Sequence, residues 1–182
     1  LGQYFTREDL VDFVIGTIVQ QKDGIYCDPT CGSGTFLIRL YDRLRYLSQH
    51  RTTHDELLNK IWGIALGKFH AELSTINLFR QDVSNFDNFP RVVNENIFDV
   101  YNGKEFAFPP PHAGKFFKEK IHVKIPPFNG LVGNFPYIRQ ELIERKAKGY
   151  KQELTRVLAE EYLFTYPELF ILKNLDDDKL DH

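Results

Sequence analysis

The sequence has no methionine, only two cysteines and one tryptophan, no long apolar run and no surplus of positive charge. Each shortage excludes something. Without methionine, even at position 1, the expectation is that the chain does not begin at a native start and is a segment of a longer protein. Cys27 and Cys31 offer neither a disulfide framework nor a metal-ligand spacing, so no metal is expected. The apolar runs fall well short of the roughly 20 residues that cross a bilayer, and no charged-then-apolar leader precedes Leu1. A cytoplasmic protein without a membrane partner is the expectation. A formal net charge of -2 leaves the chain without the electrostatic footprint of a DNA-binding surface. One basic cluster, Arg139, Arg145, Lys146, Lys148 and Lys151, can flank a phosphate backbone, although a solvated helix face accounts for it more simply. What remains is 182 residues at 42% hydrophobic content, enough for one domain with a real core.

The most informative stretch is Cys27-Asp28-Pro29-Thr30-Cys31-Gly32-Ser33-Gly34-Thr35-Phe36-Leu37. The residues before it, Gly24 to Cys27, are extended and apolar, and Phe36, Leu37, Leu40, Leu44 and Leu47 then recur at helical spacing. Strand, glycine turn and helix together make a ligand cradle. Gly32 and Gly34 lack a Cβ and let backbone N–H groups approach a ligand, while Asp28 at the strand's end offers a carboxylate to hydroxyl or amino donors. No lysine follows Gly34-Thr35, as a phosphate-binding loop requires, and Leu37 stands where a dinucleotide fingerprint needs a third glycine. A nucleoside-like cofactor is the ligand that remains.

A second motif lies about a hundred residues on: Leu131-Val132-Gly133-Asn134-Phe135-Pro136-Tyr137-Ile138-Arg139. Here an apolar strand ends at an amide, a rigid proline turn and an aromatic ring. Asn134 and the neighbouring backbone carbonyl supply acceptors for an amino group, and Tyr137 supplies a stacking face. The two motifs, in this order, resemble the N6-adenine DNA methyltransferase family, whose motifs read Asp-Pro-x-Cys-Gly-Ser-Gly-x-Phe-Leu and Asn-Pro-Pro-Tyr. The opening Gly2-Gln3-Tyr4-Phe5-Thr6 is similar to the family's first segment, and the order of the three matches the subgroup of type I and combined restriction-modification systems.

The resemblance implies a Rossmann-like, S-adenosylmethionine-dependent α/β fold: a mostly parallel sheet with helices on both faces, incomplete at the C-terminus. It implies transfer of a methyl group from S-adenosylmethionine to adenine N6 in double-stranded DNA, with the target base flipped out of the helix. Asn134, Phe135, Pro136 and Tyr137 then form the catalytic pocket. Asp28, Thr30, Gly32 and Gly34 hold the cofactor, Tyr4 and Thr6 lie over its same end, Ala65 and Leu66 stand at the ribose, and Asn96 and Ile97 flank its adenine. Thr6 has a second reading as the cap of a helix, and Asn96 as an ordinary strand end. DNA recognition falls to a specificity subunit or to a target recognition domain outside this chain.

The chain reads as one catalytic-domain segment over 1–182. An N-terminal helix and cofactor motif occupy 1–23, a cofactor-binding half 24–98, an insertion or loop 99–127, and the base-binding motif with its following helices 128–182. Thr6-Arg7-Glu8-Asp9 has the form of a capping box, opening a helix over 7–20 with Leu10, Val14, Ile15 and Ile18 inward. A strand at 24–28 precedes a helix at 34–48 and a polar loop from Ser48 to Asp55. A strand at 61–66 leads to a helix with Phe69, Leu73 and Ile76 inward, and further strands are expected at 91–98 and 130–133. Strand and helix alternate, which argues a parallel sheet. Pro109-Pro110-Pro111 and scattered glycines exclude a long regular element between 99 and 127. An apolar, aromatic stretch over 162–173 resembles the helix after the base-binding motif.

Two positions depart from the family pattern. Relatives carry an acid after Gly-Ile of the second strand, accepting hydrogen bonds from the ribose, whereas Gly63-Ile64 is followed by Ala65; losing such an acceptor costs on the order of 1–3 kcal/mol. Relatives also carry proline directly after the asparagine, whereas Phe135 stands here, leaving its φ unfixed while Pro136 still holds it extended. These departures favour a rival in which the chain is a noncatalytic, methyltransferase-like subunit binding DNA or protein. A second rival is methylation of another amino nitrogen, in cytosine N4, an RNA base or a protein glutamine.

Overall fold

The computed structural model describes residues 6–84, 88–110, 120–135 and 149–157. The chain separates into two units, 1–136 and 137–182. In the second, the described segment is the helix Tyr150–Val157. The expected helix at 162–173 and residues 139, 145, 146 and 148 of the basic cluster lie outside the described residues.

In the first unit, β1 (Tyr26–Asp28), β2 (Ile61–Ala65), β3 (Arg91–Asn94) and β6 (Gly130–Leu131) pair in parallel in the order β3-β2-β1-β6. Every residue of β1 and β2 is buried. A strand covered on both faces has no reason to alternate in polarity, which is why both read as continuous apolar runs. Strand order runs outward from β1 in one direction to β2 and β3, and in the other to β6. The crevice at such a reversal, outside the strands' carboxyl ends, is where open α/β sheets bind ligands. The parallel α/β sheet is as expected.

One face of the sheet carries α1 (Glu8–Ile18), α2 (Thr35–Leu47), α3 (His54–Lys60) and α4 (Lys68–Phe79), whose inner residues join Tyr26, Ile61, Ala65, Val92 and Val132 in one cluster. The other face presents Cys27, Trp62, Ile64 and Val93. Among the described residues it is covered by a hairpin of β4 (Glu105–Phe108) and β5 (Ile121–Lys124). Trp62 is the centre of that second cluster, with the rings of Phe108, Phe128 and Phe106 at 5.8, 6.2 and 6.5 Å. Within the segment expected as an insertion or loop, 99–127, the described residues thus hold two short strands, and Pro109 and Pro110 stand just beyond β4, where they break no ladder bond.

Five smaller corrections concern element ends and inner faces. The strand expected at 91–98 ends at Asn94, and a 3-10 turn, Ile97–Asp99, follows. The loop expected to Asp55 gives way to α3, which opens with a capping box: Thr53 Oγ1 accepts from the Glu56 N–H while Glu56 accepts from the Thr53 N–H. In α4 the inward residues are Ala71, Ser74 and Leu78, and Phe69 and Ile76 are exposed, because the turn before α2 approaches too closely for large side chains. In α1 the inward residues are Val11 and Ile15, with Leu10 and Ile18 outward. The expected capping box is absent: Arg7 is the N-cap, without a side-chain hydrogen bond.

Candidate functional site

Parallel pairing puts the carboxyl ends of β1, β2, β3 and β6 on one edge, and the candidate residues collect there. β6 is only two residues long, yet its register on β1 is pinned at both ends. Asn129 accepts from the Ile25 N–H at 2.8 Å and donates its own N–H to Ile25 O at 2.7 Å, and the Val132 N–H donates to Cys27 O at 2.9 Å. Asp28 and the chain after Val132 leave the sheet side by side.

The glycine turn is held from behind. The Cys31 N–H donates to Ile64 O at 2.9 Å, tying the turn to β2, and the Gly34 N–H donates to Cys31 O at 2.7 Å. Ser74 Oγ donates to Gly32 O at 2.8 Å, and Asn77 Nδ2 to Ser33 O at 2.9 Å. Two of its carbonyls are drawn toward α4 and the N–H groups of Cys31 and Gly34 are bonded within the protein, which leaves those of Gly32 and Ser33 for a ligand. Gly32 and Gly34 have φ of +51° and +90°, backbone that L side chains rarely adopt. A Cβ on Gly34 would lie 3.1–3.2 Å from Ser74, whereas one on Gly32 would meet nothing nearer than 3.9 Å. The back of the turn is full and its outer side is open.

Asp28 is 1% exposed. Burial pushes its carboxyl up to about 7, against the Thr30 N–H that donates to Oδ1 at 2.9 Å. Thr30 Oγ1 sits in the same buried corner and helps hold that value down, but no partner meets it with hydrogen-bond geometry. A buried carboxylate and an orphaned hydroxyl beside an open glycine turn fit a ligand rich in amino and hydroxyl groups, as S-adenosylmethionine is. The two thiols take no part: burial raises both, Cys31 to about 12, so both stay protonated and weakly nucleophilic.

The second motif meets the first through Gly133. A Cβ there would stand 2.6 Å from Asp28 Oδ1 and 3.3 Å from its Cγ, so the backbone passes directly over the carboxylate. Asn134 follows, and its Nδ2 donates to Thr6 Oγ1 at 2.8 Å. That bond occupies the hydroxyl expected to cap α1. Phe135 is exposed, as is Leu66 beyond β2. Pro136, Tyr137 and Tyr4 lie outside the described residues.

At β2 and β3, Ala65 turns its methyl into the helix-side core, while its carbonyl accepts from Asn94 Nδ2 at 2.9 Å and from the Glu95 N–H at 3.1 Å. Asn94 Nδ2 also donates to Leu66 O at 2.8 Å. Glu95 brings a carboxylate to this edge, held below its ordinary range by the Lys104 ammonium at 2.8 Å and by the Asn96 N–H. Asn96 caps the 3-10 turn through its Oδ1, and Ile97 packs against the Trp62 cluster. The structure thus brings Asp28, Thr30, Gly133, Asn134 and Thr6 together in one corner, with Ala65, Leu66 and Asn96 along the neighbouring strand ends. Sequence reading missed Ser74, Asn77, Asn94 and Glu95. Only Asn94 and Glu95 carried a signal, as polar residues directly after an apolar strand.

Among the described residues, no group of three His, Cys, Asp or Glu could hold a metal, and no helix is long and apolar enough to cross a membrane. Solved structures are similar to parts of this chain. A modification subunit assigned to a type I restriction enzyme of Vibrio vulnificus YJ016 is 23% identical over 59% of this chain and 20% of its own, with a TM-score of 0.44. The M protein of the type I restriction enzyme EcoKI is 18% identical over 51% of this chain and 21% of its own, with a TM-score of 0.40. SMU.472, assigned as a methyltransferase and solved with SAH, is 15% identical over 84% of this chain and 41% of its own, with a TM-score of 0.45. The chain spans about a fifth of the two modification subunits. The family described as N-6 DNA Methylase matches residues 1–160, which include the glycine turn, Gly133 and Asn134, and the chain belongs to that family.

Proposed function

We propose that this chain binds S-adenosylmethionine at the β1 and β2 ends and presents Asn134 to the N6 amino group of a flipped-out adenine in DNA, as part of a restriction-modification system. The observation that supports this reading is the passage of Gly133 over Asp28, with 2.6 Å between a Cβ built there and Oδ1, which puts the Asp28 carboxylate and the Asn134 amide in one corner.

S-adenosylmethionine, when bound, supplies an electrophilic methyl group. The chain's residues do the rest. Asp28 accepts hydrogen bonds from the cofactor's amino or hydroxyl groups, Thr30 Oγ1 gains the partner it lacks, and the N–H groups of Gly32 and Ser33 face its polar end. Leu66 offers an apolar wall. Asn134 Oδ1 and the Phe135 carbonyl each accept one amino hydrogen of the base, which favours the pyramidal nitrogen that can attack a methyl group. Tyr137 stacks on the base. No covalent enzyme intermediate is needed, and DNA recognition belongs to a specificity subunit or a recognition domain.

The test is incorporation of labelled methyl into DNA by a protein that joins this chain to its recognition part, followed by digestion to nucleosides. N6-methyldeoxyadenosine is expected, and label on cytosine or none at all would overturn the reading. The exposed Phe135, where relatives have proline, favours one alternative, a noncatalytic subunit that keeps the fold. A clear rate gain in Phe135→Pro supports an altered pocket, whereas an unchanged, measurable rate removes this alternative's main support.

A further inference from the structure

We infer that Thr6 is a positioning residue for Asn134, deciding which end of its carboxamide faces the substrate. The inference rests on the reading of Asn134 as the acceptor of an amino group. A carboxamide has ends of opposite character, and a half-turn about its last bond would aim an NH2 donor at another donor. Something must therefore hold Nδ2 away from the substrate. Thr6 Oγ1, 128 residues away in sequence, accepts from Nδ2 at 2.8 Å, and among the described residues no donor meets Oδ1. Thr6 has no competing duty in the helix that follows it, since α1 is capped at Arg7 without any side-chain hydrogen bond.

The anchor is rigid on both sides. Thr6 leads directly into α1, whose Val11 and Ile15 are buried against the α2 side of the core, and Asn134 follows the Gly133 contact with Asp28. On its other side Asn134 lacks the proline that would stiffen position 135, so lateral restraint from Thr6 replaces stiffness the backbone has lost. The opening segment then serves the base pocket as well as lying beside the cofactor. A loosened asparagine would lower the rate of transfer and leave cofactor affinity alone, because misplacement of about 1 Å at a reacting group costs up to ~10²-fold in rate.

Thr6→Val keeps the side chain's shape and removes the acceptor, while Thr6→Ser keeps the acceptor. In isotope-labelled chain, the Asn134 side-chain amide signal, identified by its loss in Asn134→Ala, should shift and exchange faster in Thr6→Val and return toward wild type in Thr6→Ser. Calorimetry with S-adenosylhomocysteine should give Thr6→Val an affinity within about twofold of wild type. In active protein kcat should fall at least tenfold in Thr6→Val and return toward wild type in Thr6→Ser. An Asn134 amide signal indifferent to Thr6→Val overturns the inference, as does a tenfold loss of cofactor affinity with kcat unchanged, which would make Thr6 a cofactor residue. If wild type transfers no methyl while the amide still follows Thr6, the proposed function fails and the contact stands.

Discussion

Asp28 is the residue whose chemistry and stability pull in opposite directions. Its folded value of about 7 lies roughly 3 units above that of an exposed aspartate, so the folded chain holds a proton that the unfolded chain releases. The stabilisation this gives is complete below about pH 4 and is lost as pH rises toward 7, a difference on the order of 4 kcal/mol. Asp28→Asn removes the titration. Thermal melts should show the variant more stable than wild type at pH 8, with the gap closing toward pH 4; a gap that is constant across pH would contradict the buried, protonated carboxyl. Cofactor binding should follow the opposite course. Because an amino or hydroxyl donor prefers the carboxylate, S-adenosylhomocysteine should bind wild type progressively more weakly below about pH 7, and calorimetry at pH 5.5 and 8 checks this. Asp28, Gly32, Gly34 and Asn134 were legible in the sequence because each sits where a strand pattern stops, at a residue type that only a turn or a ligand requires. Ser74 and Asn77 were not, since they bond carbonyls more than forty residues away and nothing local marks a helical serine or asparagine for that work.

At the scale of elements, the glycine turn depends on α4 and the asparagine loop depends on the turn. Ser74→Ala should free Gly32 O and weaken S-adenosylhomocysteine by about tenfold, with stability falling by about 1 kcal/mol, the ordinary worth of one hydrogen bond. Gly133→Ala is the sharper case. Its Cβ cannot be accommodated unless Asp28 or the loop moves, and overpacking of this kind costs roughly 1–3 kcal/mol. Cofactor affinity and methyl transfer should therefore both fall in Gly133→Ala. A variant that loses transfer while binding cofactor normally would show that the two motifs are not coupled there. The parallel order of β1, β2 and β3 was legible from alternating strand and helix patterns. The inner faces of α1 and α4 were misread because apolar residues occupy both sides of each helix, and only the tertiary approach of the Gly34 turn selects Ala71 and Ser74. The β4–β5 hairpin was hidden for another reason. Its strands alternate between buried and exposed, but prolines and glycines around them outweigh that pattern in a local reading.

For the whole molecule, charge and span set what this chain can do by itself. With a formal net charge of -2, it should bind duplex DNA weakly, with little preference for sequence and with marked loss as salt is raised. Fluorescence titration at two salt concentrations checks this, and tight binding of one duplex sequence would place recognition inside the chain after all. What the fold does supply is a single corner in which Gly133 passes over the Asp28 carboxylate and Asn134 follows directly. The most direct measurement is labelled-methyl transfer to DNA by wild type and by Asn134→Ala, in a protein that includes the recognition part, with S-adenosylhomocysteine affinity measured alongside. Asn134→Ala should abolish N6-methyladenine while leaving cofactor binding intact; full transfer by the variant would show that Asn134 does not grip the base and that the corner was misassigned.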